Sequence, residues 1–220
     1  MTSPAATPKA RQPLTRERIL DAAVRLADEQ GIEAVSMRKL GAELDVEAMS
    51  LYNHFASKAT LLDGLVDHVV GDVPIPDSGA DWRKQVRAMA RGYRALALSH
   101  PHIVPLIAMR PFNTLTALRP VEYAFGVLRK AGFDEDEALH AFRTVAGFAT
   151  GYTLAETGGF FAEGSGPADD SHLDPTGLSS EEFPNLVSMI PHITNCDHDA
   201  EFEFALDVLL EGLSAKLRPA

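Results

Sequence analysis

The stretch that most constrains this chain is SMRKLGAELDVEAMSLYNHFASK, Ser36 to Lys58, in which two short helical repeats flank a single turn residue. Ser36 is a good N-cap, and Met37, Leu40 and Leu44 recur at helical spacing, so a first helix runs to about Leu44. Asp45 then supplies the turn, because Asp tolerates the left-handed conformation better than most residues. Val46 plugs the turn into the core. In a second helix, Glu47 to Phe55, Leu51 and Phe55 lie four apart as the buried edge and turn Ala48, Met49, Ser50, Tyr52, Asn53 and His54 outward.

Those outward side chains are small, polar or aromatic. Such a helix suits the DNA major groove, where short side chains permit close approach and hydrogen-bond base edges and phosphates. A helix facing only water more often carries Lys and Glu. An ordinary helical hairpin with a buried aromatic edge gives the same pattern, so the spacing alone leaves both readings open.

The wider segment LTRERILDAAVRLADEQGIEAVSMRKLGAELDVEAMSLYNHFASKATLLDGLVDHVV, Leu14 to Val70, resembles the TetR family of bacterial transcriptional regulators. Its most specific part is Ser50 to Phe55, followed by Lys58 and the pair Leu61 and Leu62. The resemblance implies that Leu51, Tyr52, His54, Phe55 and Lys58 occupy the family's recognition helix and the start of its fourth helix. Contact with DNA is expected from Arg38, Ala48, Met49, Ser50, Tyr52, Asn53, His54 and Lys58, with Tyr52 and Lys58 on phosphate. The chain departs from the family at Asp45, where Gly is usual, and at Gly41, where Ala is common.

The long segments show a 3.6-residue period and almost no two-residue alternation, which predicts an all-α protein. No apolar run approaches the roughly 18 residues of a membrane span, and the first residues lack the apolar core of a signal peptide. A cytoplasmic protein is expected, consistent with the lone Cys196. The net charge of −11 argues against a polyanionic partner until its distribution is considered. Residues 1–58 carry eight Lys or Arg against eight Asp or Glu, so the whole −11 falls in residues 59–220. Lys9, Arg11, Arg16 and Arg18 are opposed locally only by Glu17, which makes either an arm for phosphate contact or a solvated tail.

The expected organisation is a disordered basic arm at 1–13, a three-helix helix-turn-helix DNA-binding domain with its connecting helix at 14–71, and a helical effector-binding and dimerisation domain at 81–217. The border is DVPIPDSGA, 72–80, whose prolines and glycine cannot continue a helix. Helices are predicted at 14–30, 59–71, 81–99, 102–108, 114–131, 134–157, 184–190 and 199–217, with a polar loop at 158–182. Pro120 either kinks its helix or begins one. The last helix is more apolar than one neighbour can cover, which suits a subunit interface or a central core position.

A two-helix reader recognises only a few base pairs, so a homodimer on a palindromic double-stranded DNA operator is expected. The second domain concentrates Trp82, Met89, Tyr93, Leu106, Met109, Phe125, Phe148 and Tyr152 at inward helical positions, a pattern that fits plain core or a pocket. Its segments LSHPHIVPLIAMRP, LRKAGFDEDEALHAFRTVAGFATGY and FEFALDVLLEGLSAKL resemble the effector domain of the Tet repressors themselves. The resemblance implies an effector site of Met89, Tyr93, Leu106, Met109, Arg110, Pro111, Phe125, Phe148 and Tyr152. Leu106, Gly147 and Ala155 stand where the tetracycline-sensing members have two His and a Glu. Without those ligands magnesium is not held, so the expected effector is a small, largely apolar or aromatic molecule, not magnesium-tetracycline, with one polar or anionic group near Arg110. No cofactor or metal is expected in that site.

An enzyme reading rests on His192, Cys196 and His198 with Asp197 and Asp199, a cluster of metal-ligand types that a solvated turn beside Pro191 explains as well. Ser36 and Lys39 match a Ser-x-x-Lys pattern, but Ser36 is already needed as a cap. A module of the same fold that binds another protein through its exposed helix remains a third reading.

Overall fold

The computed structural model describes residues 13–76, 79, 81–158, 178–194 and 197–217. Residues 1–12, most of the expected 158–182 loop and Cys196 lie outside them. The described residues are helical, with no strand among them, and none of their helices is long and apolar enough to cross a membrane. The chain divides into two compact units between Leu65 and Val66.

In the first unit, α1 (Arg16–Gln30) starts where the Thr15 hydroxyl accepts the Arg18 backbone N–H at 3.2 Å, and it buries Ile19, Ala22, Ala23 and Leu26. Gly31, at φ 80°, ends it. Helix α2 (Met37–Leu44) is capped by Ser36, which accepts the Lys39 N–H at 3.3 Å. Asp45 stops it in the left-handed region at φ 54°, ψ 47°. The Val46 N–H then donates to the Gly41 carbonyl at 2.9 Å, and a Cβ on Gly41 would lie 2.9 Å from the Val46 oxygen. Backbone therefore meets backbone at this turn.

Helix α3 is shorter than its periodicity predicts, spanning Ala48–Tyr52 instead of reaching Phe55. The Leu51 carbonyl accepts from both His54 (2.9 Å) and Phe55 (3.0 Å), which tightens the last turn, and the His54 carbonyl accepts from the Arg16 guanidinium. Helix α4 (Lys58–Gly71) opens on a reciprocal cap. Ser57 Oγ accepts the Thr60 N–H at 3.2 Å, and Thr60 Oγ1 accepts the Ser57 N–H at 3.0 Å.

In the second unit, α5 (Trp82–Ser99), α7 (Leu115–Ala131) and α8 (Glu135–Thr157) pack against one another, with α6 (Val104–Met109) and α10 (His198–Ser214) also against α8. Asp134 and Glu137 form the capping box that their spacing predicts, at 2.9 and 3.0 Å. Pro120 lies inside α7, buried, well past the first turn where proline costs nothing. Helix α9 (Pro184–Thr194) carries Pro191 within it, so His192 belongs to a helix end and not to the polar turn expected there.

The buried face of α8 is a stripe of small residues: Ala138, Ala141, Val145, Ala149 and Thr153. Leu139, Phe142, Phe148 and Tyr152, expected on that face, are only partly buried. Small side chains let α5 and α7 approach closely, which rotates the bulkier residues to the flanks. On α10 the fully buried residues are Phe202, Leu206 and Leu210, while Phe204 is 71% exposed.

Candidate functional site

Two places hold the residues singled out by sequence. On the first unit, Leu51 and Phe55 are sunk completely into the core, so the opposite face of α3 is outward. Met49 is 70% exposed, Tyr52, Asn53, Arg38 and Lys58 are exposed, and Ala48, Ser50 and His54 are half-buried. None of these eight is consumed by the core. Lys58 is exposed and is the first residue of α4, and a cationic side chain at a helix N-terminus, where the backbone N–H groups carry partial positive charge, favours a phosphate.

Arg16, read from sequence as part of a basic arm, has a structural task. Its guanidinium lies 4.1 Å from the centroid of the Phe55 ring and donates to the His54 carbonyl, fixing the chain directly after α3. Arg18 reaches the Leu44 carbonyl at 3.4 Å. Both cations therefore brace the turn region from α1.

On the second unit, α5, α6, α7 and α8, with Val70 and Val73 at and just past the end of α4, line an apolar cavity of about 160 Å³. By a measure in which one water needs roughly 10–15 Å³, that admits on the order of ten waters, enough for a molecule of two or three rings. Met89 and Tyr93 line it, as the resemblance implies. Val86, Ile107, Phe112, Pro120, Phe142 and Thr150 contribute further parts of the wall.

The other expected effector residues lie elsewhere. Helix α6 turns Val104 and Ile107 inward, which leaves Leu106 half-buried on another side and Met109 83% exposed. Arg110 caps the end of α6 half-buried, Pro111 is exposed, and neither lines the cavity. Phe125 packs on Phe142 with ring centroids 5.0 Å apart and so backs the wall. Phe148 and Tyr152 join Phe202 in a separate aromatic group, at 5.1 and 5.4 Å.

Charge organises that second group. Arg94 grips Glu156 through two hydrogen bonds of 2.9 and 2.7 Å and donates to Asp199 at 2.7 Å, with its guanidinium 5.0 Å from the Phe202 centroid. These bonds to Glu156, and then to Asp199, raise the Arg94 pKa against the cost of burial. Nearby, Arg87 and Arg91 both bond Glu203, and Arg87 also bonds Asp207. These ion pairs lock α5 to α10.

The candidate metal cluster is dispersed in its described part. Asp197 caps α10 by accepting the Ala200 N–H at 3.0 Å, Asp199 is taken by Arg94, and the His198 carbonyl accepts the Tyr152 hydroxyl at 3.2 Å. Among the described residues no three His, Cys, Asp or Glu side chains are grouped to hold a metal ion; Cys196 is not one of them.

Sequence reasoning missed two residues. Thr150 meets the Tyr93 hydroxyl at 3.2 Å inside the cavity, and only its one-turn spacing from Ala146 hinted at an inward face. Asp67 is 3% exposed on α4, where a charge amid Val66, Val69 and Val70 is the available signal.

Comparison with known proteins assigns both parts of the chain to one family. Residues 19–65 match the family profile described as "Bacterial regulatory proteins, tetR family", and residues 75–217 match "Tetracyclin repressor-like, C-terminal domain". An HTH-type transcriptional regulator of Saccharopolyspora erythraea is 32% identical over 205 residues, covering 92% of this chain and 85% of that protein. The HTH-type transcriptional repressor DrrR1 of Streptomyces coeruleorubidus is 30% identical, with 91% of this chain and 77% of the relative covered. Among solved structures, the Streptomyces coelicolor protein ActR in complex with actinorhodin superposes with a TM-score of 0.80 at 30% identity, over 94% of this chain and 100% of ActR.

Proposed function

The chain belongs to the TetR family of bacterial transcriptional regulators, and from that premise we propose that it represses transcription as a homodimer on a palindromic operator and is released by a small, largely apolar effector. The observation that carries the DNA reading is the division of α3, with Leu51 buried and Met49, Tyr52 and Asn53 presented outward beside Lys58. Arg38, Ala48, Ser50 and His54 complete the contact surface. Such a face matches groove and phosphate chemistry better than it matches water.

Repression is supported by the likeness to the transcriptional repressor DrrR1, and an effector by the complex of ActR with actinorhodin. The cavity is of a size and polarity to take an aromatic molecule, and the described residues of its wall include no carboxylate or imidazole for a metal chelate, which disfavours magnesium-tetracycline. A partner on DNA implies a cytoplasmic protein. For the dimer, exposed Phe204 and Val208 on α10 form an apolar strip, and Gly147 and Gly151 on α8 have open space beside them. A second copy covering that surface would double a reader that is too small alone.

Selection of bound sequences from a random duplex pool, followed by binding of the winner at several salt concentrations, tests the reading. A twofold-symmetric winner with a steep salt slope is expected. No enrichment of any duplex would sink it.

A further inference from the structure

Resting on the effector reading above, we infer that the Tyr93 and Thr150 hydroxyls form the recognition point of the cavity, and that its ligand is an uncharged, multi-ring molecule presenting a hydrogen-bond acceptor such as a ketone or quinone oxygen. Among the described residues lining the cavity these two alone have polar side chains, and Lys, Arg, His, Asp and Glu are missing from the wall. Everything else a ligand touches there is aliphatic, aromatic, thioether or proline.

The hydroxyl arithmetic sets the sign of the ligand group. Thr150 Oγ1 donates to the Tyr93 oxygen at 3.2 Å. That bond uses the Thr150 hydrogen, so the phenolic hydrogen of Tyr93 remains for a third group. An accepting group on the ligand satisfies that hydrogen, the one donor the apolar wall leaves unused. Thr150 differs in this from Thr144, Thr153 and Thr157 on the same helix, whose hydroxyls return to the carbonyls of His140, Ala149 and Thr153. Turned away from its own helix, it orients the phenol.

Charge is excluded by the same wall. An anion entering a space without a cation loses its hydration for two neutral hydroxyls, a large uncompensated cost, whereas a neutral carbonyl exchanges water for one good bond. Burial raises the Tyr93 pKa, opposed by the Thr150 bond, so the phenol stays a neutral donor at ordinary pH. Arg110, the cation expected to meet an anionic group, does not line this cavity.

The test uses the full chain and a matched pair of naphthalene probes. The ketone 6-propionyl-2-(dimethylamino)naphthalene is neutral, and its emission moves to the red when its carbonyl accepts a hydrogen bond. Replacing the propionyl group by a carboxylate gives the anionic partner. Saturable binding of the ketone with red-shifted emission is expected, with the carboxylate at least tenfold weaker. Tyr93→Phe should weaken the ketone about 3–10-fold and move its emission to the blue, and Thr150→Val should do the same to a smaller degree. Both substitutions keep the volume of the wall. Equal or tighter binding of the carboxylate, emission unchanged by both substitutions, or no saturable binding would overturn the assignment. Operator selection is scored separately on DNA, so loss of this inference and loss of the regulator reading give different results.

Discussion

The carboxylate of Asp67 accepts the backbone N–H of Asn113 at 2.9 Å, tying α4 to the segment that follows α6. Asn113 is preceded by Phe112, a wall residue of the cavity, so one hydrogen bond to the buried Asp67 holds both a helix and a piece of the ligand site. Asp67→Ala would leave that N–H unpaired and should cost about 1–3 kcal/mol, while Asp67→Asn, which keeps an acceptor, should cost less. Urea unfolding followed by the single tryptophan, Trp82, reads the effect in the core around Phe133. An Ala variant with the wild-type midpoint would show that the bond contributes nothing.

The left-handed Asp45 is the one non-glycine residue with positive φ among the described residues. Asp45→Gly should stabilise the first unit by roughly 0.5–1 kcal/mol, because glycine reaches φ 54° without the Cβ penalty. Thermal melting of the two proteins decides it. A lower melting temperature in the variant would mean that the Asp side chain contributes more than its backbone strain costs.

Tyr52 and Asn53 are exposed and make no part of the core. Replacing both with Ala should reduce operator affinity at least a hundredfold with an unchanged circular dichroism spectrum and melting point. Retained affinity in a gel-shift titration would remove α3 from the reading surface.

Glu203 gives the second unit a defined acid sensitivity. Hydrogen bonding from Arg91, joined by Arg87, holds its carboxyl below the ordinary value of 4.5, against the upward push of burial. The unfolded chain then binds more protons in this window, so the contribution is complete above about pH 4.5 and is lost as pH falls through the folded value. Glu203→Gln should flatten the decline of the urea midpoint between pH 6 and 3.5. An identical decline in both proteins would assign the sensitivity to other carboxylates.

Phe204 and Val208 are exposed on α10. Changing both to Asp should convert a dimer to a 23.8 kDa monomer in sedimentation at micromolar concentration, and should weaken operator binding along with it. A variant that still sediments as a dimer would move the subunit contact to another face.

The sequence by itself determined the elements whose signals lie within four residues of one another. Thr15, Ser36 and the Asp134 and Glu137 pair cap the helices that their spacing marks, and the Leu51 to Phe55 interval sets which side of α3 is outward. Tertiary structure decided the rest. Tyr93 and Tyr152 look alike on an amphipathic helix, yet one lines the cavity and the other joins the Arg94 seam. Tyr93 is on α5 and Tyr152 on α8, and the packing of these two helices on each other and on their neighbours α7 and α10 makes that choice. Pro120 lies inside α7 for a related reason: the packing that buries it outweighs one missing N–H, and no local rule weighs contacts brought from distant parts of the chain.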